Sequence, residues 1–218
     1  MLSLLLASFV TFFVVIDPPG VAPMFATMTE HMSAAWRRKM AWKSVAVATA
    51  VMLGFAFGGA WLLERLGVTL DAFRIAGGLL LFLIAVDMLF EKRTERREER
   101  VEQVVAEQAT HPGRYDDISV FPLAIPLISG PGAIASVMLY FTQNTDALGR
   151  AMVLLGVGAN LALCLVCFLL AGPLSRLMGA TVAAMLTRIF GILLAALAAQ
   201  FVVDGVRHAF GIAQAVGQ

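Results

Sequence analysis

The sequence predicts an all-α integral membrane protein with six transmembrane spans. They form two inverted-topology three-span repeats, with spans 1 and 4 broken mid-membrane. Three observations point there. Apolar residues make up 60% of the 218 positions and charged residues only 14%, with a mean hydropathy of +0.84; soluble domains are roughly 45–50% apolar. The apolar residues fall into six runs separated by polar links. Two of those runs carry a helix-breaking tetrad, Asp17-Pro18-Pro19-Gly20 in the first and Ser129-Gly130-Pro131-Gly132 in the fourth.

The first run, Leu2 to Ile16, reaches only about 22 Å as a helix, short of a hydrocarbon core of roughly 30 Å. It reads as half a span, interrupted at Asp17–Gly20 and resumed through Val21-Ala22-Pro23-Met24-Phe25 toward Thr29. Proline removes a backbone donor and glycine lowers helix propensity, so each tetrad should stop its helix. No basic region or cleavage site marks the first run as a signal peptide. The polar stretch Glu30 to Lys39 ends the span. The second span is expected from about Met40 to Leu63. Its Gly54 and Gly58 either let a neighbouring helix approach closely or merely fill space. The third span is expected over Asp71–Phe90.

The segment 91–117 is the one long polar stretch, and its start, EKRTERREERVEQ, mixes both signs. Lys92–Glu95 and Arg96–Glu99 sit at helical pairing distance. A solvated cytoplasmic linker is the expectation, and the interleaved glutamates argue against a lipid-headgroup site. The fourth span, Ile118 to Tyr140, holds the second break together with Pro122 and Pro126. The fifth runs from about Arg150 to Leu170 and the sixth from about Met185 to Val206.

The chain is thus one membrane domain in three parts: a first repeat over 1–90, the linker over 91–117 and a second repeat over 118–218. With the N-terminus outside, the inner segments hold Arg37, Arg38, Lys39, Lys43, Lys92, Arg93, Arg96, Arg97, Arg100, Arg114, Arg176 and Arg188. The outer segments hold only Arg65, Arg74, Arg150 and Arg207. Positive charge gathers inside, so both termini are expected on the periplasmic side of a bacterial inner membrane.

The halves echo each other. Pro19-Gly20 matches Pro131-Gly132 at an offset of 112, and Arg74-Ile75-Ala76-Gly77-Gly78-Leu79-Leu80 matches Arg188-Ile189-Phe190-Gly191-Ile192-Leu193-Leu194 at 114. Three spans is an odd number, so a second copy enters the membrane from the opposite side. Many secondary transporters are built this way around a midplane site.

Asp17-Pro-Pro-Gly followed by Ala22-Pro-Met-Phe25, and Pro122-Leu-Ala-Ile-Pro126 followed by Ser129-Gly-Pro-Gly132, resemble the paired signatures of the MarC family of bacterial inner-membrane proteins. The likeness covers nearly the whole chain, including the six-span plan and central linker. It implies a transporter for small neutral amino acids such as glycine and alanine, related to amino-acid exporters. Two positions depart from the family pattern. Position 17 is Asp where Asn is frequent, and position 19 is Pro where a branched aliphatic residue is usual.

A broken helix exposes unpaired N–H groups on one side and carbonyls on the other, with partial charges of opposite sign. A zwitterionic substrate presents one group for each. The expected substrate-binding residues are therefore Asp17, Pro18, Pro19, Gly20, Ser129, Gly130, Pro131 and Gly132. Asn160 and Gln200, polar amides within spans five and six, join them either as cavity groups or as interhelical hydrogen-bond formers. Asp17 has three readings: ammonium ligand, proton carrier, or cap of the half-helix that starts at Pro18. Ser129 reads as a cap in the second copy. Arg74 and Arg188 read as snorkelling anchors. Cys164 and Cys167 share a helix face and read as packing residues. His31, His111 and His208 carry no ligand signature.

No cofactor is expected, though proton or ion coupling suits a carrier. No nucleotide-binding, hydrolase or metalloprotease motif appears, so an enzyme is not expected. Hydropathy excludes a nucleic-acid-binding fold. The partners are a small zwitterionic substrate and the lipid bilayer, and an oligomer is compatible with the sequence. The competing readings are a channel-like pore with a re-entrant filter, an intramembrane enzyme using Asp17, and a carrier of metal ions or another small solute.

Overall fold

The computed structural model describes residues 1–30, 32–90, 99, 101–102, 106 and 117–211, with only the backbone described for 174–184. Most of the expected linker, His31, His111, the Arg176 side chain and the C-terminal tail lie outside the described residues. The described residues form helices and no strand.

Helix α1 (Leu2–Ile16) stops where Asp17 turns left-handed, at φ 58° and ψ 61°. Asp17 N–H still bonds to Phe13 O at 2.9 Å, but Pro18 has no N–H with which to continue. Helix α2 (Pro18–Met28) starts at once, with Pro18 in the first helical position, where a missing donor matters least. Helix α3 (Ala34–Arg65) is capped by Ser33, whose hydroxyl accepts from Trp36 N–H at 3.3 Å. It begins six residues before the expected span. Hydropathy marks where a helix enters lipid, whereas the cap and the helix-forming run Trp36-Arg37-Arg38-Lys39 decide where it starts. Helix α4 (Leu70–Leu89) is capped by Thr69.

The segment Ser119–Ile128 is not a regular helix. Its backbone is extended at Phe121 and Ile125, each followed by a proline, and a residue before proline is pushed out of the helical region. Between these points wide turns close through Leu123 N→Ile118 O and Ser129 N→Ala124 O. The expected helix ahead of the second break is therefore a proline-paced coil. Helix α5 (Pro131–Gln143) follows at a bend of 59°. Helix α6 (Ala147–Leu169) is capped by Asp146, and α7 (Ala171–Ala209) runs on after a single residue. Within α7, Met185–Ala209 is long and apolar enough to cross a membrane. Among the described residues, five stretches are long and apolar enough to cross a membrane, and Ser119–Ile128 taken with α5 makes a sixth.

Packing runs between the halves more than within them. The most extensive interface joins α4 to α7, while the chain neighbours α3 and α4 barely touch. Helices α4 and α7 are antiparallel: Gly78 faces Ala198 and Val202, Gly191 faces Ala85, and Gly205 faces Asp71 and Ile75. Helices α1 and α6 run parallel, with Ser8 and Phe9 beside Gly156 and Asn160. The second-half entry segment and α5 run parallel to α3, through Lys43–Asp117, Ser129–Ala48 and Gly59–Met138 in order. Small residues permit these approaches. Gly54 and Gly58 do not contribute, since a Cβ at either meets nothing within 4 Å.

The bundle has two ends. One, called here the linker end, gathers the end of α2, the start of α3, the entry to Ser119–Ile128 and the α6–α7 joint. The other, the terminal end, gathers the α3–α4 and α5–α6 joints and the end of α7.

Candidate substrate site at the two helix breaks

Asp17 is 3% exposed, deep among apolar side chains. Its carboxylate accepts from Gly20 N–H at 3.1 Å and caps α2. A Cβ at position 20 would collide with the carboxylate as it stands, so a larger residue there would have to displace the cap. The capping reading of Asp17 is thus part of the structure, and its carboxyl group sits at a buried helix junction.

The second break lies against the first. A Cβ on Gly132 would sit 3.2 Å from Val15 Cγ1, two residues before Asp17, and 2.7 Å from Ile84 Cδ1. Backbone therefore replaces side chain where the breaks meet. Gly130 is the cap residue of α5, and no side chain caps that end. Ser129, expected as the cap, instead donates its hydroxyl to Ala48 O on α3 at 3.2 Å. The reason is a shift of one residue. The two first-position prolines are Pro18 and Pro131, 113 positions apart, so Gly130 and not Ser129 takes the place of Asp17. Pro131 has no N–H, and those of Gly132 and Ala133 have no acceptor within their helix. This end carries the positive pole of α5 with no counter-charge on its own cap.

Ser136 stands one turn beyond Gly132 and one turn before Tyr140. It is fully buried, and its hydroxyl has no partner among the described residues. The Tyr140 hydroxyl shares a 2.9 Å hydrogen bond with Thr11 of α1. Sequence reasoning missed Ser136, although its spacing of four from Gly132 in an apolar helix was the available signal. Asn160 is also fully buried. Its Nδ2 donates to Phe9 O and Gly156 O, both at 2.9 Å, while Oδ1 is left without a partner. It ties α1 to α6 and holds one acceptor in reserve. Gln200 is not brought to the breaks: it is exposed and donates to Asp204 one turn along α7 at 2.8 Å. Periodicity showed a polar residue in a span but not which face of α7 packs.

Arg74 bridges α4 and α7, with Nη1 3.3 Å from Asp71 and 3.2 Å from His208 Nδ1. Cys164 and Cys167 are both buried, and neither forms a disulfide among the described residues. No group of three metal-ligating side chains occurs among the described residues. At the linker end, outside the spans, Lys43 and Ser119 both bond to Asp117. The Lys43 bond comes first in holding its carboxyl down to about 2.

Apolar spans of this length, two of them interrupted at depth, define a multi-pass, all-helical integral membrane protein. The chain belongs to the MarC family: the profile described as MarC family integral membrane protein matches residues 2–210. It is 35% identical to a UPF0056 membrane protein of Archaeoglobus fulgidus over 94% of this chain and 92% of that one. It is 35% identical to YhcE of Escherichia coli, covering 93% and 91%, and 31% identical to YvbG of Bacillus subtilis, covering 97% and 98%. No solved structure matches it.

Proposed function

We propose that the chain is a secondary carrier for small zwitterionic solutes, with small neutral amino acids such as glycine and alanine as the substrate class. One observation carries the reading. A buried carboxylate caps one half-helix two residues beyond Val15, and Val15 packs against Gly132 at the start of the half-helix that no side chain caps. The substrate ammonium is met by Asp17 and its carboxylate by the Gly132 and Ala133 N–H groups. Glycines at both junctions keep the space small, which favours a small substrate.

An inverted repeat supports alternating access around this point. Spans 3 and 6 are antiparallel, while span 1 lies parallel on span 5 and span 4 lies parallel on span 2. Each relation maps onto its partner, or onto itself, when the halves are exchanged. The carrier is placed in the plasma membrane with both termini outside, on the distribution of Lys and Arg.

The test is uptake of labelled glycine and alanine by purified protein in liposomes, with and without a pH gradient. Saturable uptake and accelerated exchange are expected. Non-saturating flux without exchange acceleration points to a channel, and absence of uptake by folded protein removes the carrier reading.

A further inference from the structure

Two cavities lie at opposite ends of the bundle. One, of about 460 Å³, opens at the linker end, with Thr29 and Arg37 in its wall and Phe25 and Phe168 among its lining rings. The other, of about 180 Å³, opens at the terminal end, with Thr142, Arg150, Phe57 and Phe141 in its wall. The 113-residue spacing that relates the two first-position prolines also relates Thr29 to Thr142, Arg37 to Arg150 and the cap Ser33 to the cap Asp146. The cavities are thus built from corresponding pieces of the two halves.

Each contains an aromatic contact that crosses between halves. Phe25 of α2 stacks on Phe168 of α6, with centroids 4.5 Å apart and planes 11° apart. Phe141 of α5 meets Phe57 of α3 edge-on at 4.9 Å. Phe168 directly follows Cys167 on α6, and Phe25 is a buried residue of α2 two turns beyond the break. Phe141 lies on α5 between the second break and the terminal end and is 3% exposed.

The ends differ in one respect. At the narrow end the Arg150 guanidinium lies over the Phe141 ring, 5.2 Å from its centroid, and its Nε donates to Asn144 O at 3.1 Å. The arginine is thereby tied to both the ring and the chain just after α5. Its counterpart Arg37 also lines a cavity, the wide one.

We propose that the Arg150–Phe141 stack is a latch that closes the path from the terminal end to the breaks, opposed across them by the Phe25–Phe168 stack, and that the two open in alternation. The inference deepens the carrier reading and rests on it. In this conformation both stacks are formed, and the wider vestibule opens at the linker end. Releasing Arg150 from the ring frees the end of α5 to move away from α3 while the Phe25–Phe168 stack stays shut.

A single thiol at the breaks reads both sides. In a Cys164→Ser, Cys167→Ser background, Ser136→Cys is labelled with a membrane-impermeant maleimide from each face of oriented vesicles, without substrate. Arg150→Ala is expected to raise the rate from the terminal face roughly tenfold, the loss of a cation–π contact and a hydrogen bond, and to lower the rate from the linker face. Phe25→Ala is expected to do the reverse. Arg150→Lys, which keeps the charge but loses the planar stack, should fall between. The latch is overturned if Arg150→Ala leaves both rates within about twofold, raises both together as general loosening does, or if the thiol is reached from neither face in any variant. Labelling needs no substrate, so a negative uptake result with an intact labelling asymmetry removes the proposed substrate and leaves the latch standing.

Discussion

Gly132 packs against Val15 so closely that a Cβ at position 132 would come within 3.2 Å of Val15 Cγ1. This contact brings the start of α5 up to the end of α1, and with it the two broken spans. Both would have to give way to any larger residue.

Gly132→Ala should therefore destabilise the protein by about 1–3 kcal/mol through overpacking against Val15 and Ile84. The flexible end of Ile84 absorbs part of the clash. Gly54→Ala, with open space around it, should instead be neutral or raise stability by up to about 1 kcal/mol. Thermal unfolding of both variants in detergent tests this, and equal effects would remove the special role of position 132.

Asp17→Asn keeps an oxygen that accepts from Gly20 N–H, and asparagine tolerates the left-handed conformation found at φ 58°. The fold should hold to within about 1 kcal/mol. If Asp17 carries a coupled proton, this variant loses the pH dependence of transport and keeps exchange. If Asp17 only binds the substrate ammonium, affinity falls at every pH. Exchange rates measured across a pH series separate the two, and an unchanged profile with unchanged affinity would leave Asp17 as a cap alone.

Much of the plan was legible because membrane burial is written in composition. Apolar run lengths located the spans, and Asp17-Pro18-Pro19-Gly20 announced its own break, since proline and left-handed Asp each end a helix locally. What stayed hidden depends on which face of a helix packs. Gln200 and Asn160 look alike in sequence, yet one faces outward and the other is buried against Phe9. Gly54-xxx-Gly58 looked like a contact motif, whereas Gly78 and Gly191 make the close approach. Ser129 failed as a cap because a match counted on Pro-Gly pairs is one residue out of step with the caps themselves.

Ser136→Ala separates binding from folding. The hydroxyl has no partner to lose, and removing an unsatisfied buried group is neutral or stabilising. The melting temperature should stay level or rise. If Ser136 donates to the substrate carboxylate one turn beyond the α5 terminus, KM for glycine should rise up to about tenfold, the worth of one hydrogen bond. A fall in stability with unchanged KM would mean that the hydroxyl serves the fold.

Asp117 supplies the pH test outside the membrane. Its folded-state value of about 2 lies below the ordinary carboxyl value of 3.8, chiefly through the Lys43 bond and next through Ser119. A depressed carboxylate stabilises the fold fully above its unfolded value and loses that contribution as pH falls through the folded one. The window is therefore about pH 4 down to pH 2. Both partners are 45% exposed, so solvent screening limits the gain to roughly 1 kcal/mol or less at low salt. Melting temperatures of the parent and Asp117→Asn should differ at pH 7 and converge toward pH 2, and added salt should shrink the gap at pH 7. This tie joins α3 to the entry of the second half at the linker end, the side of the wider vestibule. A gap that persists at pH 2 would mean that the asparagine disturbs the Ser119 turn itself and that the ion pair contributes little.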